Sequence, residues 1–479
     1  MDIRGATRSL LVLTGRVIND VVSFIVFCFL DLLDVLLCFV YKILDFFMEA
    51  EWKPCYCSSG KEAITSSGKI LVSERGESKI ISLSSTKLQL EDISDTLYSR
   101  PSLVSEISKS TIKELKRLKI DGTTIRSSER IKNGTLRSTF TINSTIVDML
   151  QEKIGGQQLH PVPRWSDCDC RACTSWSSSC KETLYVRVEG PSREDKARED
   201  VLFIHGFISS SVFWTETLFP NFSDDTKSSY RLIAIDLLGF GRSPKPTDSL
   251  YTLREHVEMI ERSVLEAYKV KSFHIVAHSL GCILALAIAV KYPGAVKSLT
   301  LLAPPYFPVP KGEQANRYVL RKVAPRRVWP LIVFGSSIVC WYEHISRTAC
   351  LIVCKNHHFW ESLTKLVTRN RMRTFMFDGF FCHTHNAAWH TLHNIICGTA
   401  GKVDEYLDAV RDQLRCDVTV FHGRDDELLP VECSYAVQSR IPRADVKVID
   451  RKDHLTIVIG RQKTFARELE EIWKKSSSG

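Results

Sequence analysis

A histidine–serine pair interrupts an apolar run in the segment IVAHSLGC, residues 275–282. The residues before the pair, 273–277, predict a buried strand, and the apolar residues from Gly281 onward predict a buried helix. Polar side chains at the junction of a buried strand and a buried helix need hydrogen-bond partners or a chemical role. The segment therefore predicts an α/β fold with a functional residue at Ser279.

From residue 183 onward, runs with strand character alternate with stretches of helical spacing. The predicted strands are 184–188, 201–204, 231–236, 296–303, 418–421 and 446–449, and helices are expected at 252–269, near 431–440 and from 461. This alternation predicts a mostly parallel sheet covered by helices on both faces. The predicted core comprises 183–304 and 411–479, and the interval 305–410 predicts a helical, basic cap over the C-terminal edge of the sheet.

Four polar residues lie where predicted strands end, which is the edge of a parallel sheet at which ligands bind. Ser279 follows one strand, Asp426 and His454 follow the last two, and His205 ends the first strong strand. A serine hydroxyl becomes a good nucleophile when a base takes its proton. His454 can serve as that base and Asp426 can orient it, so we predict a site for acyl transfer. Asp425 is the adjacent alternative to Asp426.

The histidine–serine segment fits the sharp turn called a nucleophile elbow, G-x-S-x-G, except at its first position. The residues two before and two after the serine must be small, and Ala277 and Gly281 satisfy that requirement. Backbone amides must also stabilise the oxyanion that develops during attack. We expect one such amide from Leu280, at the start of the helix, and the other from Phe207, in a loop that His205 braces.

The N-terminal segment, residues 10–48, is strongly apolar and follows two arginines. Its four aspartates fall within about 60° of one another at 100° per residue, so they form one narrow acidic stripe on a helix: Asp20, Asp31, Asp34 and Asp45. An aspartate at mid-bilayer costs roughly 2.5–3.5 kcal/mol, which argues against a simple membrane span. We predict that residues 1–50 are a signal peptide or membrane anchor, with an in-plane membrane helix as the alternative.

The chain has 16 cysteines, which are dense in the region 51–182. The dense clusters are Cys55 with Cys57, and Cys168, Cys170 and Cys173 with Cys180 nearby. Clustered cysteines form disulfides in oxidising compartments and metal sites in reducing ones. The C-x-C-x-x-C spacing departs from the separated pairs of zinc sites, and the cap histidines are scattered, so we expect disulfides, no metal site and no cofactor.

The composition of the region 51–182 predicts partial disorder, because residues 58–130 are rich in Ser, Lys, Glu and Thr. Three N-glycosylation sequons fit passage through the secretory pathway: Asn133, Asn143 and Asn221. The net charge is +9, and the interval 311–400 contains twelve Lys/Arg and four Asp/Glu, so 12 − 4 = +8 lies there. This excess predicts either a solvated basic face or a surface for anionic head groups or carboxylates. We expect no nucleic-acid partner.

Five segments together resemble the α/β-hydrolase superfamily over residues 183–475: HGFISSSVFW, DLLGFGRSPKP, IVAHSLGC, GRDDELLP and DRKDHLT. The N-terminal segment LLDVLLCFVYKILDFFMEAEWKPCYC is similar to that of the plant bodyguard proteins. The resemblance implies a secreted or membrane-associated lipid-ester enzyme, a lysophospholipase type that takes part in building the cuticle. It also implies the site roles given above, with Ser279 as the nucleophile.

The leading hypothesis is a serine esterase for long acyl chains, in which water resolves an acyl-enzyme. In one alternative, an alcohol resolves it and the chain joins hydroxy-acyl monomers. The absence of an H-x-x-x-x-D box, with Ile459 at the aspartate position, disfavours one type of acyltransferase. In another alternative, the chain is a ligand receptor that keeps the three residues with little turnover. Epoxide hydrolysis, suggested by the loop after Asp236, would need a carboxylate where Ser279 stands.

Overall fold

The computed structural model describes residues 3–49, 69–74, 77–82, 87–89, 94–98, 164–170, 173, 183–191, 199–246, 249–369 and 379–477. The chain begins with a long helix, α1 (Ile3–Glu49), which is followed by a small antiparallel sheet. The strands of that sheet are β1 (Lys69–Glu74), β2 (Glu77–Ser82) and β3 (Lys87–Gln89). Regular structure therefore occurs within the region in which the sequence predicts partial disorder.

The central sheet has seven strands in the order β10–β9–β8–β7–β5–β6–β4. The strands are β4 (Val186–Glu189), β5 (Glu199–Ile204), β6 (Tyr230–Ile235), β7 (Phe273–His278), β8 (Val296–Leu302), β9 (Asp417–Gly423) and β10 (Asp445–Ile449). Neighbouring strands run parallel except β4, which pairs antiparallel with β6. Parallel strands that are buried on both faces need continuous apolar runs, as in β5 and β7. The predicted mostly parallel sheet is confirmed.

Helices cover both faces of this sheet. Those that precede the cap are α2 (Val212–Thr215), α3 (Asp224–Ser229), α4 (Leu253–Ile260) and α5 (Leu280–Lys291). Helix α5 has apolar residues on every side, which suits a helix enclosed between the sheet and other helices. One hydrophobic core lies under α4 and α5, and the second lies on the opposite face around Phe203, Phe421 and Trp473.

Between β8 and β9 the chain forms a series of helices. These are α6 (Ala315–Val323), α7 (Leu331–Trp341), α8 (Glu343–Val353), α9 (His357–Val367), α10 (His385–Thr391) and α11 (Val403–Gln413). The chain then returns to the core with α12 (Glu432–Arg440) and α13 (Gln462–Ser477). Helices α6–α10 and the segments that connect them are called the cap below. The end of the cap reaches the core where Phe240 and His383 form a β-bridge.

Helix α1 packs one face against the cap. Its buried residues recur every three or four positions, which is the repeat of one helix face: Ser23, Phe27, Leu30, Asp34, Cys38, Tyr41 and Asp45. Phe27 packs against Phe334 and Tyr342 of the cap, with ring centroids 6.0 and 6.2 Å apart. The predicted acidic stripe therefore faces protein over much of its length.

Three aspartates of the stripe are bound by the cap. Asp31 accepts hydrogen bonds from Arg326 at 2.9 and 3.0 Å, and Asp34 accepts them from the backbone amides of His344 and Ile345. Asp45 receives two 2.7 Å hydrogen bonds from the guanidinium of Arg347, and Arg164 and Trp165 also donate to it. Part of the basic excess of the cap thus pairs with carboxylates of the same chain.

The opposite face of α1 is exposed and apolar. Phe24, Phe29 and Phe47 expose 71%, 63% and 76% of their surface. Within the described residues, α1 is the one helix that is long and apolar enough to cross a membrane, over Val17–Asp45. The cap adds exposed apolar side chains beside it, because Trp329 and Leu331 follow Val328, whose amide donates to Ser23 of α1.

Candidate active site

Ser279 lies in the turn between β7 and α5 with a φ of 52° and a ψ of −123°. A non-glycine residue in this region carries strain of about 1–3 kcal/mol, and such residues cluster at functional sites. The Ser279 amide donates to the Leu302 carbonyl at 2.8 Å, which fixes the turn against β8. A Cβ at Gly281 would lie 2.7 Å from the His205 carbonyl oxygen, so only glycine fits there. Ala277 is buried in β7.

His454 and Asp426 form a hydrogen-bonded pair at the C-terminal edge of the sheet. The Nδ1–H of His454 donates to Asp426 Oδ2 at 2.7 Å. Both side chains are buried, whereas the alternative carboxylate, Asp425, is exposed. The His454 ring packs 4.7 Å from the ring of His278, the residue immediately before Ser279. The structure therefore brings the predicted serine, imidazole and carboxylate to one edge of the sheet.

The environment of Asp426 keeps it ionised. Burial raises its pKa, but hydrogen bonds from His422 and His454 outweigh that effect and hold the pKa well below the usual range. Its Oδ1 also accepts from the amides of Leu428 and Leu429 at 2.9 and 2.8 Å. A carboxylate that accepts several hydrogen bonds is stabilised in its charged form. Asp426 can therefore hold the imidazole in one tautomer.

The predicted oxyanion loop lies against the elbow. A Cβ at Gly206 would lie 3.1 Å from Ser279 Cβ, so the loop and the serine are in direct contact. His205 accepts from the Leu237 amide at 2.9 Å and donates through Nδ1 to the Gly206 carbonyl at 2.7 Å. Burial lowers the pKa of His205 and keeps it neutral. Phe207 follows in this loop and Leu280 is the first residue of α5, where the amide has no acceptor within the helix.

Comparison with known proteins places this site in a family. Residues 201–328 match the model of the alpha/beta hydrolase fold. Probable lysophospholipase BODYGUARD 3 of Arabidopsis thaliana is 59% identical over 500 residues, covering 100% of this chain and 99% of that protein. Probable lysophospholipase BODYGUARD 1 of Arabidopsis thaliana is 58% identical over 472 residues, covering 97% and 98%. The chain belongs to the BODYGUARD family. The predicted resemblance is confirmed, and the α/β-hydrolase fold with it.

Two buried histidines near the site make hydrogen bonds that the sequence alone did not predict. His422, at the end of β9, donates to the Leu429 carbonyl at 2.8 Å and lies 3.5 Å from Asp426 Oδ2. His278 donates to the backbone carbonyl of His454 at 3.0 Å and stacks on Phe213. Burial lowers the pKa of His278 to about 3, so it remains a neutral donor. Their positions at the ends of β7 and β9 are the one feature of the sequence that could have indicated a place near the site.

The loop after β6 is organised by Asp236, which the sequence analysis connected only with a rejected reaction. Its carboxylate accepts from the amides of Ser211 and Arg242 at 2.6 and 2.7 Å. The same loop carries Phe240, whose ring lies 6.0 Å from that of Phe207 and 6.3 Å from that of His383. Phe240 thus joins the predicted oxyanion loop to the cap.

Glycosylation asparagines and a metal site were also considered in the sequence analysis. Asn133 and Asn143 fall outside the described residues, and the amide of Asn221 donates to the Thr217 carbonyl at 2.6 Å. Among the residues that the structure describes, the groups of side chains able to ligate a metal lie in the cap and in residues 168–173. They include His357 and His383 but no residue named above for Ser279 chemistry.

Proposed function

We propose that the chain is a serine-dependent hydrolase of long-chain acyl esters. Ser279 is the nucleophile, His454 is the general base and Asp426 orients the base. The observation that carries the proposal is the 2.7 Å hydrogen bond from His454 Nδ1 to Asp426, with the His454 ring 4.7 Å from the ring of His278, the residue before Ser279. Ser279 itself has a φ of 52° at the end of β7. Serine, carboxylate and imidazole in this chain order are the parts of an α/β-hydrolase acyl-transfer site.

The hydrogen bond to Asp426 leaves a lone pair on Nε2 of His454. Ser279 Oγ gives its proton to that nitrogen as it attacks the acyl carbon. When the tetrahedral intermediate collapses, the proton passes to the departing alcohol and the acyl group remains on Ser279. Water then attacks the acyl-enzyme, His454 accepts its proton, and the fatty acid leaves as Ser279 recovers the proton.

The negative charge of each tetrahedral intermediate needs backbone donors. We assign this role to the amides of Leu280 and Phe207, because one begins α5 and the other lies in the loop that contacts Ser279. Removing one such donor costs roughly 2.7–4 kcal/mol of transition-state stabilisation. Glycine at 206 allows this approach, since a Cβ there would press on Ser279.

For the substrate, we propose single-chain lipid esters of the lysophospholipid or hydroxy-acyl type. The similar proteins bear the name probable lysophospholipase, and the cap exposes large apolar side chains such as Trp329 and Leu366, at 64% and 75%. Hydrolysis in the service of cuticle formation is the biological role that we propose. An apolar cap favours a substrate that arrives from a lipid phase.

We further propose that α1 is retained and lies in the plane of a membrane. Removal of α1 would break the two hydrogen bonds from Arg347 to Asp45 and return the cap surface under Phe27, including Phe334 and Tyr342, to water, which is destabilising. The exposed apolar face of α1 can enter the acyl-chain boundary while the acidic stripe stays on the cap. Passage through the secretory pathway to the cell surface is the proposed route.

Fluorophosphonate labelling of the full chain, purified in detergent, tests the reaction. We expect the native protein to be labelled at Ser279 and to release fatty acid from lysophosphatidylcholine. Ser279→Ala should abolish both signals, and Ser228→Ala, which changes an exposed serine of α3, should keep both. A Ser279→Ala protein that hydrolyses the ester at the native rate would refute the proposed nucleophile.

The acyl acceptor is tested in the same reaction. With a hydroxy-fatty acid added to the lysophosphatidylcholine assay, hydrolysis gives free fatty acid, whereas acyl transfer gives an ester between the two acyl chains. Mass spectrometry separates the two products. We expect free fatty acid to dominate, and predominance of the estolide would replace hydrolysis by transfer while leaving Ser279 as the nucleophile.

Flotation with phosphatidylcholine vesicles tests membrane binding separately. Phe24→Asp combined with Phe29→Asp places two charges on the exposed face of α1 and should greatly reduce the floated fraction. The Ser279→Ala protein should float like the native chain, because its surface is unchanged. Equal flotation of the native and doubly substituted proteins would contradict the in-plane arrangement.

A further inference from the structure

Three cysteines, Cys168, Cys170 and Cys173, lie close to His357 at the start of cap helix α9. The sulfur atoms of Cys168, Cys170 and Cys173 and a ring nitrogen of His357 all lie within 4.8 Å of one another. His357 Nε2 lies 3.4 Å from Cys170 Sγ and 3.6 Å from Cys173 Sγ. Cys168 forms no disulfide in this structure, where the sequence analysis expects one. The histidine comes from a part of the chain 187 positions away from Cys170.

The spacing of these atoms is that of a tetrahedral metal site. Zinc binds sulfur at about 2.3 Å and imidazole nitrogen at about 2.0–2.1 Å, so a regular tetrahedron separates sulfur from nitrogen by about 3.6 Å. The two separations at His357, 3.4 and 3.6 Å, agree with this value. Four donors of this kind close the coordination shell, which is the arrangement of structural zinc sites.

A second group of donors lies within the cap. Cys350 and Cys354 are four residues apart at the end of α8, so both sulfurs point to the same side of the helix. His383 Nε2 lies 3.6 Å from Cys350 Sγ and 3.7 Å from Cys354 Sγ, again the edge length of a zinc tetrahedron. These three donor atoms lie within 4.8 Å of one another. Neither cysteine is in a disulfide.

His385 is the candidate for the fourth corner of this second group. Its side chain is 4% exposed, and neither ring nitrogen has a hydrogen-bond partner in the described part of the chain. His385 lies two positions after His383 in the chain, although its ring nitrogens are not among the donor atoms that lie within 4.8 Å of one another. A buried imidazole without a partner costs free energy that a metal bond would recover.

We propose that the chain binds two structural Zn²⁺ ions, one at Cys168, Cys170, Cys173 and His357, and one at Cys350, Cys354 and His383, with His385 as the candidate for its fourth ligand. Thiolate and imidazole donors in tetrahedral sets select zinc among the abundant divalent cations. Binding releases the thiol protons and leaves each imidazole neutral. In His357 and His383 the ring nitrogen that faces the sulfurs is Nε2.

The two metal sites would hold the cap in place near α1 and near the loop that contains Phe207. The first site joins residues 168–173 to the start of α9, next to Arg164 and Trp165, which bind Asp45 of α1. The second joins α8 to the segment before α10, where His383 bridges Phe240. Because Phe240 packs on Phe207, the second metal would hold the cap against the loop that contacts Ser279.

The competing arrangement is oxidation of neighbouring thiols to disulfides, which the oxidising secretory route proposed above would favour. A disulfide brings two sulfurs to about 2.05 Å and leaves both imidazoles without a role. In the first group it would also leave one of the three sulfurs unused. Zinc uses every donor in both groups. The sulfur–nitrogen separations at His357 and His383, 3.4–3.7 Å, are those expected around one tetrahedral ion.

Metal analysis of the full chain, purified in detergent without chelators, tests the proposal. We expect about two zinc ions per chain by inductively coupled plasma mass spectrometry, since one set of four donors and one set of three converge. Cys170→Ser and Cys354→Ser should each lose one ion. Cys28→Ser, which changes an exposed cysteine of α1 outside both groups, should keep both.

Cobalt substitution gives a second measurement that does not depend on variants that fold poorly. Native protein that is stripped, reduced and titrated with Co²⁺ should develop sulfur-to-cobalt charge-transfer bands that saturate at two ions per chain. Native protein that takes up neither metal after reduction would overturn the proposal. Non-reducing peptide mapping that finds disulfides among these cysteines in the protein as isolated would overturn it as well.

Discussion

The pairing of Asp45 with Arg347 gives the sharpest quantitative prediction about this chain. Arg347 is 5% exposed and donates twice to Asp45 at 2.7 Å, while its guanidinium lies 4.4 Å from the Tyr41 ring centroid. Asp45→Asn keeps the shape of the side chain and removes the charge. Breaking a buried ion pair from one side costs about 3–5 kcal/mol, since the remaining charge stays buried without compensation. The free energy of docking α1 on the cap should fall by that amount.

Cysteine labelling measures this change. Cys38 lies on the docked face of α1 and is 4% exposed, whereas Cys28 lies exposed on the same helix. A loss of about 3 kcal/mol increases the open population roughly 150-fold, so maleimide should modify Cys38 faster by about that factor. The rate at Cys28 should not change. Peptide mass spectrometry reports both rates in one sample.

Two controls make the result decisive. Asp20→Asn makes the same chemical change at an exposed position of the stripe and should leave Cys38 labelling as in the native chain. Replacing both partners, Asp45→Leu with Arg347→Met, should cost less than Asp45→Asn, because the buried charge of Arg347 is removed together with its partner. If Asp45→Asn labels Cys38 at the native rate, the ion pair does not hold α1 on the cap.

Three further substitutions test the site and its supports. His422→Leu removes a donor near Asp426 and should lower kcat for ester hydrolysis roughly tenfold with KM nearly unchanged. Gly241→Ala should lower the free energy of unfolding by roughly 1–3 kcal/mol, because the position has a φ of +51° and a Cβ would lie 2.3 Å from Asp236 Oδ2. Burial lowers the pKa of His278 to about 3, whereas its ordinary pKa in the unfolded chain is about 6.5. Between these two pH values the unfolded chain binds a proton that the folded chain does not, so the free energy of unfolding decreases as the pH is lowered. From pH 7.5 to 5, the native chain should therefore lose about 2 kcal/mol more stability than His278→Asn.

Each of these has a clear opposite result. Unchanged kcat in His422→Leu would mean that the histidine does not position Asp426. Ser434→Ala, which removes the hydroxyl that bonds to Nδ1 of His422, supplies a milder comparison. Unchanged thermal unfolding of Gly241→Ala would remove the steric argument. Parallel pH profiles of the native chain and His278→Asn in chemical denaturation would show that His278 takes up no proton on unfolding.

Local pattern was sufficient for the α/β core. The strands and helices after residue 183 follow from apolar runs and helical spacing, because each element is buried against the sheet and its own residues must match that burial. The strand-end positions of Ser279, Asp426 and His454 follow from the same pattern. The contributions of His422 and His278 do not, since a histidine that ends a strand has the same local signal whether it packs or orients a neighbour.

The N-terminal helix shows what a local pattern leaves open. The sequence alone gives the narrow acidic stripe and the basic excess of residues 311–400, but it gives no relation between them. In the structure Asp31 and Asp45 meet Arg326 and Arg347. Helical spacing fixes which side chains share a face, whereas the surface that covers this face depends on packing across about 300 positions of chain.

The amino-acid sequence by itself determined the order of strands and helices in the core after residue 183, the turn at Ser279 and the one-sided helix α1, because these depend on residues near one another along the chain. The tertiary structure alone decided that the acidic stripe faces the cap and that His357 lies against the sulfurs of Cys170 and Cys173. Such pairings join segments that are distant in the chain, so the spacing of residues within either segment cannot predict them.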